Sequence, residues 1–483
     1  MNNWFVSIAL FGWIPAVLAL FMAFPPRRAV IAAFLLAWLF LPMAGFKLAE
    51  GIPVYDKMSA TCVGVLLGMV VFDLRRLQTF RARWIDLPML VWCLCPIATS
   101  LSNDLGMYDG TSAAFREMVA WGLPYFIGRV YFSDLANLKE LAVALVVGGL
   151  IYVPLCLIEI KMSPQLHNWI YGQHPALRTL IEATRWGGYR PTVFMQHGLM
   201  VGMWMCMTGL VGVWLWYSRA LPRSICRIPT AWALVALVIT AVLCKSTGAI
   251  VLLALGLASL FAVPLLRTKW VIWALVIVAP LYMVVRAGGL WDGSQLVQVS
   301  SDAAGEERAG SLEFRFRNED MLSAKAMQRP ILGWGGWGRA RVYDESGRDI
   351  SITDGLWIIT LGNNGIVGLA SLTFAMLLPA GLMLRRYPIR AWRDPAVAPA
   401  IALAVVVVLY WIDCIPNGMV NPIFMLAVGG LGTVLMVRST AGRKVVNALR
   451  PPPPDHSGSV LTGGNDVPRL MQGHNELAKG ADL

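Results

Sequence analysis

Apolar runs long enough to cross a bilayer recur from one end of this chain to the other, separated mostly by short polar turns. Trp4–Phe24, Ala29–Phe46, Leu141–Ile158, Ala231–Cys244, Val271–Val285 and Leu356–Leu384 are examples. A transmembrane helix needs about 20 such residues, and in lipid the backbone must satisfy its own hydrogen bonds, which a helix does within one segment. The pattern predicts an all-α fold, a polytopic transmembrane bundle of about 12–13 helices. The expected helices fall near 4–24, 29–46, 58–73, 87–102, 112–131, 139–159, 197–217, 230–245, 248–266, 270–286, 356–384, 398–414 and 422–437. The fifth is the least regular, because Arg116, Glu117 and Arg129 fall inside it.

Composition agrees with that reading. Hydrophobic residues make up 57% of the 483 and charged ones only 14%, against about 25% charged in soluble domains. The net charge of +12 raises nucleic acid as a partner, but its distribution removes the need for one. Basic residues gather in alternate turns: Arg27/Arg28, Arg75/Arg76/Arg81/Arg83, Arg219/Arg223/Arg227, Arg267/Lys269, Arg385/Arg386/Arg390/Arg393 and Arg443/Lys444/Arg450. This is the positive-inside pattern. It puts those turns in the cytoplasm, the N-terminus outside and the C-terminus inside. The eight cysteines lie mostly within apolar runs, without the paired spacing of a zinc site or disulfide framework. The first residues carry no basic region or small-residue cleavage site, so the first run reads as a retained helix.

The chain therefore divides into a membrane domain over 1–437 and a Pro-rich tail over 438–483, expected to be cytoplasmic and disordered. Two outward loops are long, at about 161–196 and 287–354. The first carries an expected short helix over Pro175–Thr184. The second opens with a Ser- and Gly-rich stretch, Gly288–Gly310, followed by an expected helix over about 313–328 that Arg329-Pro330 stops. No internal repeat is evident. Ionisable residues on apolar runs are costly in lipid, and Arg116, Glu117, Glu159, Lys245, Arg286 and Asp413 all fall near predicted outer ends. Each alone is explained by snorkelling to the interface; together they point to the outer face, beneath the two loops.

The most specific stretch is Arg315-Phe-Arg317-Asn-Glu-Asp-Met321, leading to Gln328-Arg-Pro-Ile-Leu-Gly333-Trp-Gly-Gly-Trp-Gly338. After a polar gap comes Asp354-Gly-Leu-Trp-Ile-Ile-Thr-Leu-Gly-Asn-Asn-Gly365-Ile-Val-Gly368. With Arg190-Pro-Thr-Val-Phe-Met-Gln-His197-Gly198 and Lys245-Ser-Thr-Gly248, this resembles the O-antigen ligase and O-antigen polymerase superfamily of bacteria over roughly residues 140–385. The resemblance implies a glycosyltransferase of the inner membrane, acting at the periplasmic face on oligosaccharide repeats linked to undecaprenyl pyrophosphate. It implies a polymerase of exopolysaccharide or O-antigen-like glycan, with a ligase transferring glycan to lipid A core or protein as the alternative. A chain-length regulator and export proteins would be partners. No cofactor or metal is expected.

Pyrophosphate is already a good leaving group, so such a protein must hold its charge and position the acceptor. Arginine pairs bidentately with phosphate oxygens. The resemblance selects Arg317 and Asp354 as the catalytic candidates. Arg190, Arg315, Lys245, His197, Trp334 and Trp337 are the substrate-binding candidates. Many family members carry His where this chain has Asp354 and an acidic residue near Asn363. Asp354 is thus either a base for the acceptor hydroxyl or the cap of the helix starting at Leu356. On a helix Arg315 and Arg317 cannot share a face. The bland alternatives are Glu313–Arg317 and Arg315–Glu319 pairs, an interfacial role for Arg190, Trp334 and Trp337, and a hydrogen-bonded structural role for His197. A transporter of lipid-linked sugar, or a structural part of an export complex, is a further reading. Transporters more often show repeats and midplane charges.

Overall fold

A computed structural model describes residues 4–78, 80–172, 183–185, 187–225 and 227–436. The predicted tail over 438–483 and nearly all of the predicted helix over 175–184 lie outside the described residues. Among the described residues each expected apolar run is helical over most of its length, the second ending at Phe40 and giving way to a two-residue strand, Gly45–Phe46. In chain order the helices are α1 (Trp4–Ala23), α2 (Pro26–Phe40), α3 (Lys57–Phe72) and α4 (Trp84–Ser102). Then come α5 (Gly106–Glu117), α6 (Leu123–Tyr131), α7 (Leu135–Met162), α8 (Gly198–Tyr217) and α9 (Thr230–Leu243). The remainder are α10 (Thr247–Leu266), α11 (Trp270–Ala287), α12 (Ser294–Ala304), α13 (Glu306–Ala326), α14 (Leu356–Arg386), α15 (Ala398–Asp413) and α16 (Pro422–Met436). Seven of them (α1, α4, α7, α8, α10, α11 and α14) are long and apolar enough to cross a membrane. The chain is an all-α polytopic bundle.

Helix α8 is the axis of the packing, 89% buried over its span, whereas α1 and α11 are only 22% buried and form the outer surface. The short apolar helices α15 and α16 are buried along nearly their whole length. Helix α16 crosses α6 closely, because Gly128 and Gly429 bring the two backbones together where a side chain would strike Leu426 or Tyr125 main-chain atoms. The fifth expected run is not a single helix. It is α5 and α6 joined by a π-helical turn, Met118–Gly122, directly after Arg116 and Glu117.

The alternation of turns along the sequence appears as two ends of the bundle. At the basic end, Arg27 donates to Glu140 at 2.8 and 2.9 Å, and Arg129 donates to Asp86 at 2.6 Å. Lys269 closes the last turn of α14 through the Leu384 and Tyr387 carbonyls. At the other end the loops predicted to share a side touch one another. Met43 N–H donates to His167 at 3.2 Å, Arg190 to the Lys245 carbonyl at 3.1 Å, and Arg339 to the Asn103 carbonyl at 3.3 Å.

The long loop after α11 differs from expectation in one respect. Its Ser- and Gly-rich start is helical over α12, and a second helix, α13, begins well before 313. Leu296, Val297 and Val299 give α12 an apolar face, and Gly293 and Gly305, with φ of +86° and +87°, sit at its two ends.

The central irregularity lies in α14, where Gly365 takes φ +64° and ψ −165° and breaks the helix. The backbone groups that such a break frees must find partners at membrane depth. The run after α13 supplies them. Trp334 and Gly335 N–H donate to the Gly362 and Asn363 carbonyls at 2.8 and 2.9 Å, and Ile366 and Val367 N–H donate to the Pro330 and Ile331 carbonyls at 2.7 and 3.2 Å. On its far side the run is held by α4: Thr99 donates to the Leu332 carbonyl at 2.7 Å and Asn103 to the Gly333 carbonyl at 2.9 Å. Gly333, at φ +72°, has no room for a Cβ, which would lie 2.6 Å from Asn363 and Gly365 main-chain atoms; Gly336 faces open space.

Replacing Gly333 by Ala therefore adds left-handed strain, roughly 1–3 kcal/mol, to a main-chain clash. Gly336→Ala should stay within about 0.5 kcal/mol of wild type. The check is the apparent melting temperature of the two variants in detergent. Equal melting would mean that this backbone contact does not hold the fold.

Candidate functional site

A large cleft of about 890 Å³ opens at the loop end, between α10, α11, α13 and the facing ends of α14 and α15. Its walls are mainly apolar. Val251 and Leu255 of α10, Leu296 and Val299 of α12 and Phe314 of α13 line it and are themselves exposed. The cleft thus continues onto the outer surface of the bundle. Its charged and amide groups are Arg315, Asn318, Glu319, Asp354, Asp413 and Asn417 at the rim, with Thr247, Tyr282 and Ser300 as further polar lining.

Helix α13 sets that rim, and buried charge fixes α13. Arg286, at the end of α11 and 2% exposed, donates to the Trp291 carbonyl at 2.8 Å and the Phe316 carbonyl at 2.9 Å. It pairs with Glu319 at 3.3 Å and Asp320 at 2.9 Å. Glu319 also accepts from Tyr282 at 2.6 Å and from the Trp357 indole at 3.1 Å. Burial pushes the Glu319 carboxyl above its usual range, against the hydrogen bonds from Tyr282, Trp357 and Arg286 that pull it down. Arg286 is thus a fastener and not a snorkelling residue. Glu319 is not the partner of Arg315.

With α13 pinned in this way, Arg315 faces the cleft and Arg317 is exposed on the opposite side. Two helical residues two apart diverge, so Arg315 lines the cleft and the predicted Arg317 does not. Arg315 approaches Asp354 at 4.0 Å, with side chains 41% and 51% exposed. A pair so loose and open carries little structural weight. Asp354 is not a cap, because α14 begins after Gly355 without a side-chain cap bond. Its side chain lines the cleft beside Arg315.

Arg190, Lys245 and His197 lie together beside the cleft but do not line it. The turn Thr192–Phe194 is held by two buried groups. Glu159 accepts from Leu166, Thr192 and Val193 N–H at 2.7–2.9 Å. Lys57 donates to the Phe194 carbonyl at 3.1 Å. Arg190 is buried and bonds the Lys245 carbonyl. His197 accepts from Leu199 N–H at 3.1 Å as the N-cap of α8, the structural role. Lys245 sits at φ +55° in the turn between α9 and α10, and among the described residues no carboxylate pairs with its ammonium. The next residues along each segment, Leu199 and Thr247, line the cleft.

Of the two tryptophans, Trp334 is a pin. Its indole donates to the Lys325 carbonyl at 2.8 Å, and its ring lies under the Lys325 ammonium at 3.9 Å and the Arg329 guanidinium at 4.8 Å. Trp337 is far from the cleft rim and lines a smaller pocket with Asp109, Arg116 and Asn364. Asp413 and Asn417, joined at 3.1 Å, are rim residues absent from the predicted site. The signal for Asp413 is present in the sequence, an acid at the end of an apolar run. Among the described residues no group of three or more His, Cys, Asp or Glu side chains is arranged to hold a metal ion.

No protein-family model matches the chain, and no curated protein matches it.

Removing one partner of a buried charge pair typically costs about 3–5 kcal/mol, so Arg286→Ala should loosen α13. Its apparent melting temperature should fall, and protease should cut within 288–312 faster than in wild type. An unchanged melt and unchanged cleavage would mean that α13 is held by other means.

Proposed function

We propose that the protein is a glycosyltransferase that extends a lipid-linked glycan at the face of the bacterial inner membrane carrying the long loops, that is, the periplasmic face. The observation that carries this reading is the shape of the cleft. It is an apolar trough, continuous with the outer surface of the bundle, that ends in a charged rim. An amphipathic lipid with a phosphorylated head matches it, with the prenyl chain along Val251 and Leu255 and the pyrophosphate at Arg315. Lys245 adds positive charge beside the cleft, two residues from the lining residue Thr247. The order of the sequence motifs supports the same reading.

In this mechanism the acceptor hydroxyl oxygen attacks the anomeric carbon of the donor sugar. The carbon–oxygen bond to pyrophosphate breaks, and the leaving group departs with the electron pair, its charge held by Arg315. The hydroxyl proton passes to the Asp354 carboxylate. Both side chains line the cleft, so Arg315 can face the leaving pyrophosphate and Asp354 the acceptor hydroxyl once the substrates part them. We place polymerisation ahead of ligation, because Asp354 departs from the His-bearing ligase pattern.

Arg315→Ala should abolish product while the protein remains at normal level in the membrane, and Arg317→Ala should retain most activity. The readout is the length of lipid-linked glycan on a gel, from cells lacking the protein and supplied with each variant. Single repeats accumulating on the carrier in the null strain mark a polymerase, and full-length chains stranded there mark a ligase. An unchanged profile removes both and favours a transporter. In vitro, Asp354→Asn should lower turnover at least about tenfold, as loss of a general base does, while donor binding stays within about twofold. Equal losses in both would assign Asp354 to donor binding.

A further inference from the structure

The break in α14 opens a second pocket, of about 170 Å³, on the side of the helix that faces α4 and α5. Its lining is unlike that of the cleft. Asn363 and Asn364 come from the break, Ser100 from α4, Asp109, Ser112, Arg116 and Glu117 from α5, and Trp337 from the glycine-rich run. Asn364 is 8% exposed and Ser100 4%. Among the described residues nothing hydrogen-bonds to either side chain, nor to that of Asn363. Their polar atoms are not sealed within the protein, so these amide and hydroxyl groups open into the pocket and are available to a ligand there.

Trp337 gives the second indication. It is 80% exposed and holds φ +62°, a strained conformation for a bulky residue. An interfacial anchor would rest its ring in the headgroup layer. Here the indole N–H donates to Asp109 at 3.3 Å, which keeps the ring at the pocket mouth. Glu117 reaches only Arg116, at 3.9 Å, and the π-helical turn that follows is a feature common at functional sites.

We infer that this pocket binds one uncharged pyranose ring. Amides, hydroxyls and carboxylate oxygens match the ring hydroxyls, and the indole face covers its C–H face. The space, about that of six waters at ~30 Å³ each, admits a single ring. Asp109 and Glu117 set against the single guanidinium of Arg116 leave an acidic sugar no net positive charge to meet. In the context of the proposed function, on which this assignment to a glycan rests, the pocket is a subsite for a sugar of the glycan, separated by α14 from the cleft that holds the lipid.

The test is saturation-transfer NMR on the full-length protein in nanodiscs. The probes are methyl glycosides of glucose, galactose, mannose and N-acetylglucosamine, with methyl glucuronide as the acidic comparison. At least one neutral glycoside should receive transfer, and the glucuronide should not. Trp337→Ala, at an exposed position, and Asn364→Ala should each weaken it about fivefold or more, as loss of about 1 kcal/mol of contact does. Arg315→Ala should leave it unchanged. That pattern supports the pocket whether or not Arg315→Ala affects glycan length, so failure of the cleft mechanism is scored separately. No transfer to any neutral probe, transfer to the glucuronide alone, or transfer that survives Trp337→Ala and disappears in Arg315→Ala overturns the assignment.

Discussion

The architecture around both sites depends on one constraint: a transmembrane helix that stops being helical must find other partners for its freed backbone groups. Helix α14 does so at Gly365, and the run from Pro330 to Gly335 meets those groups with N–H and carbonyl of its own. Everything above the break follows. The run must descend from α13, which keeps that helix over the cleft, and must return past α4 and α5, which delivers Trp337 to the second pocket. Glycine at 333 and 365 is required because main chain meets main chain there.

Buried charges act throughout as fasteners for loops. Glu159 gathers three N–H groups, Lys57 takes a carbonyl from the same turn, and Arg286 with Glu319 ties α13 to α11 and α14. Each is costly to bury alone and is kept because hydrogen bonds surround it. The residues left loosely paired, Arg315, Asp354 and Lys245, stand out against that background.

Much of this was legible in the sequence. Run length gave the helices, and alternation of basic turns gave the two ends. Glu159, Arg286 and Asp413 stood out as charges on apolar runs. The choice between Arg315 and Arg317 could also have been read, because Arg315 lies on the same helical stripe as Glu319, Leu322 and Ala326, whereas Arg317 shares its face with Glu313, Asp320 and Ala324. The cap role of Asp354 failed by one residue, since Gly355 flanks the helix. The break itself was beyond reach. Gly362-Asn-Asn-Gly365 marks a weak point, but its partner is a segment some thirty residues earlier, and pairing at that distance leaves no local trace. Residue type was also no guide to Trp334 and Trp337, which sit three apart and have unrelated surroundings.

The stretch of α14 from Leu356 to Asn364 is a separate rod, roughly 13 Å long at 1.5 Å per residue, jointed at Gly365. Its first turns border the cleft and its last residues border the second pocket. The segment 330–335 bonds the chain on both sides of that joint, so a single backbone seam holds the linings of both chambers in register.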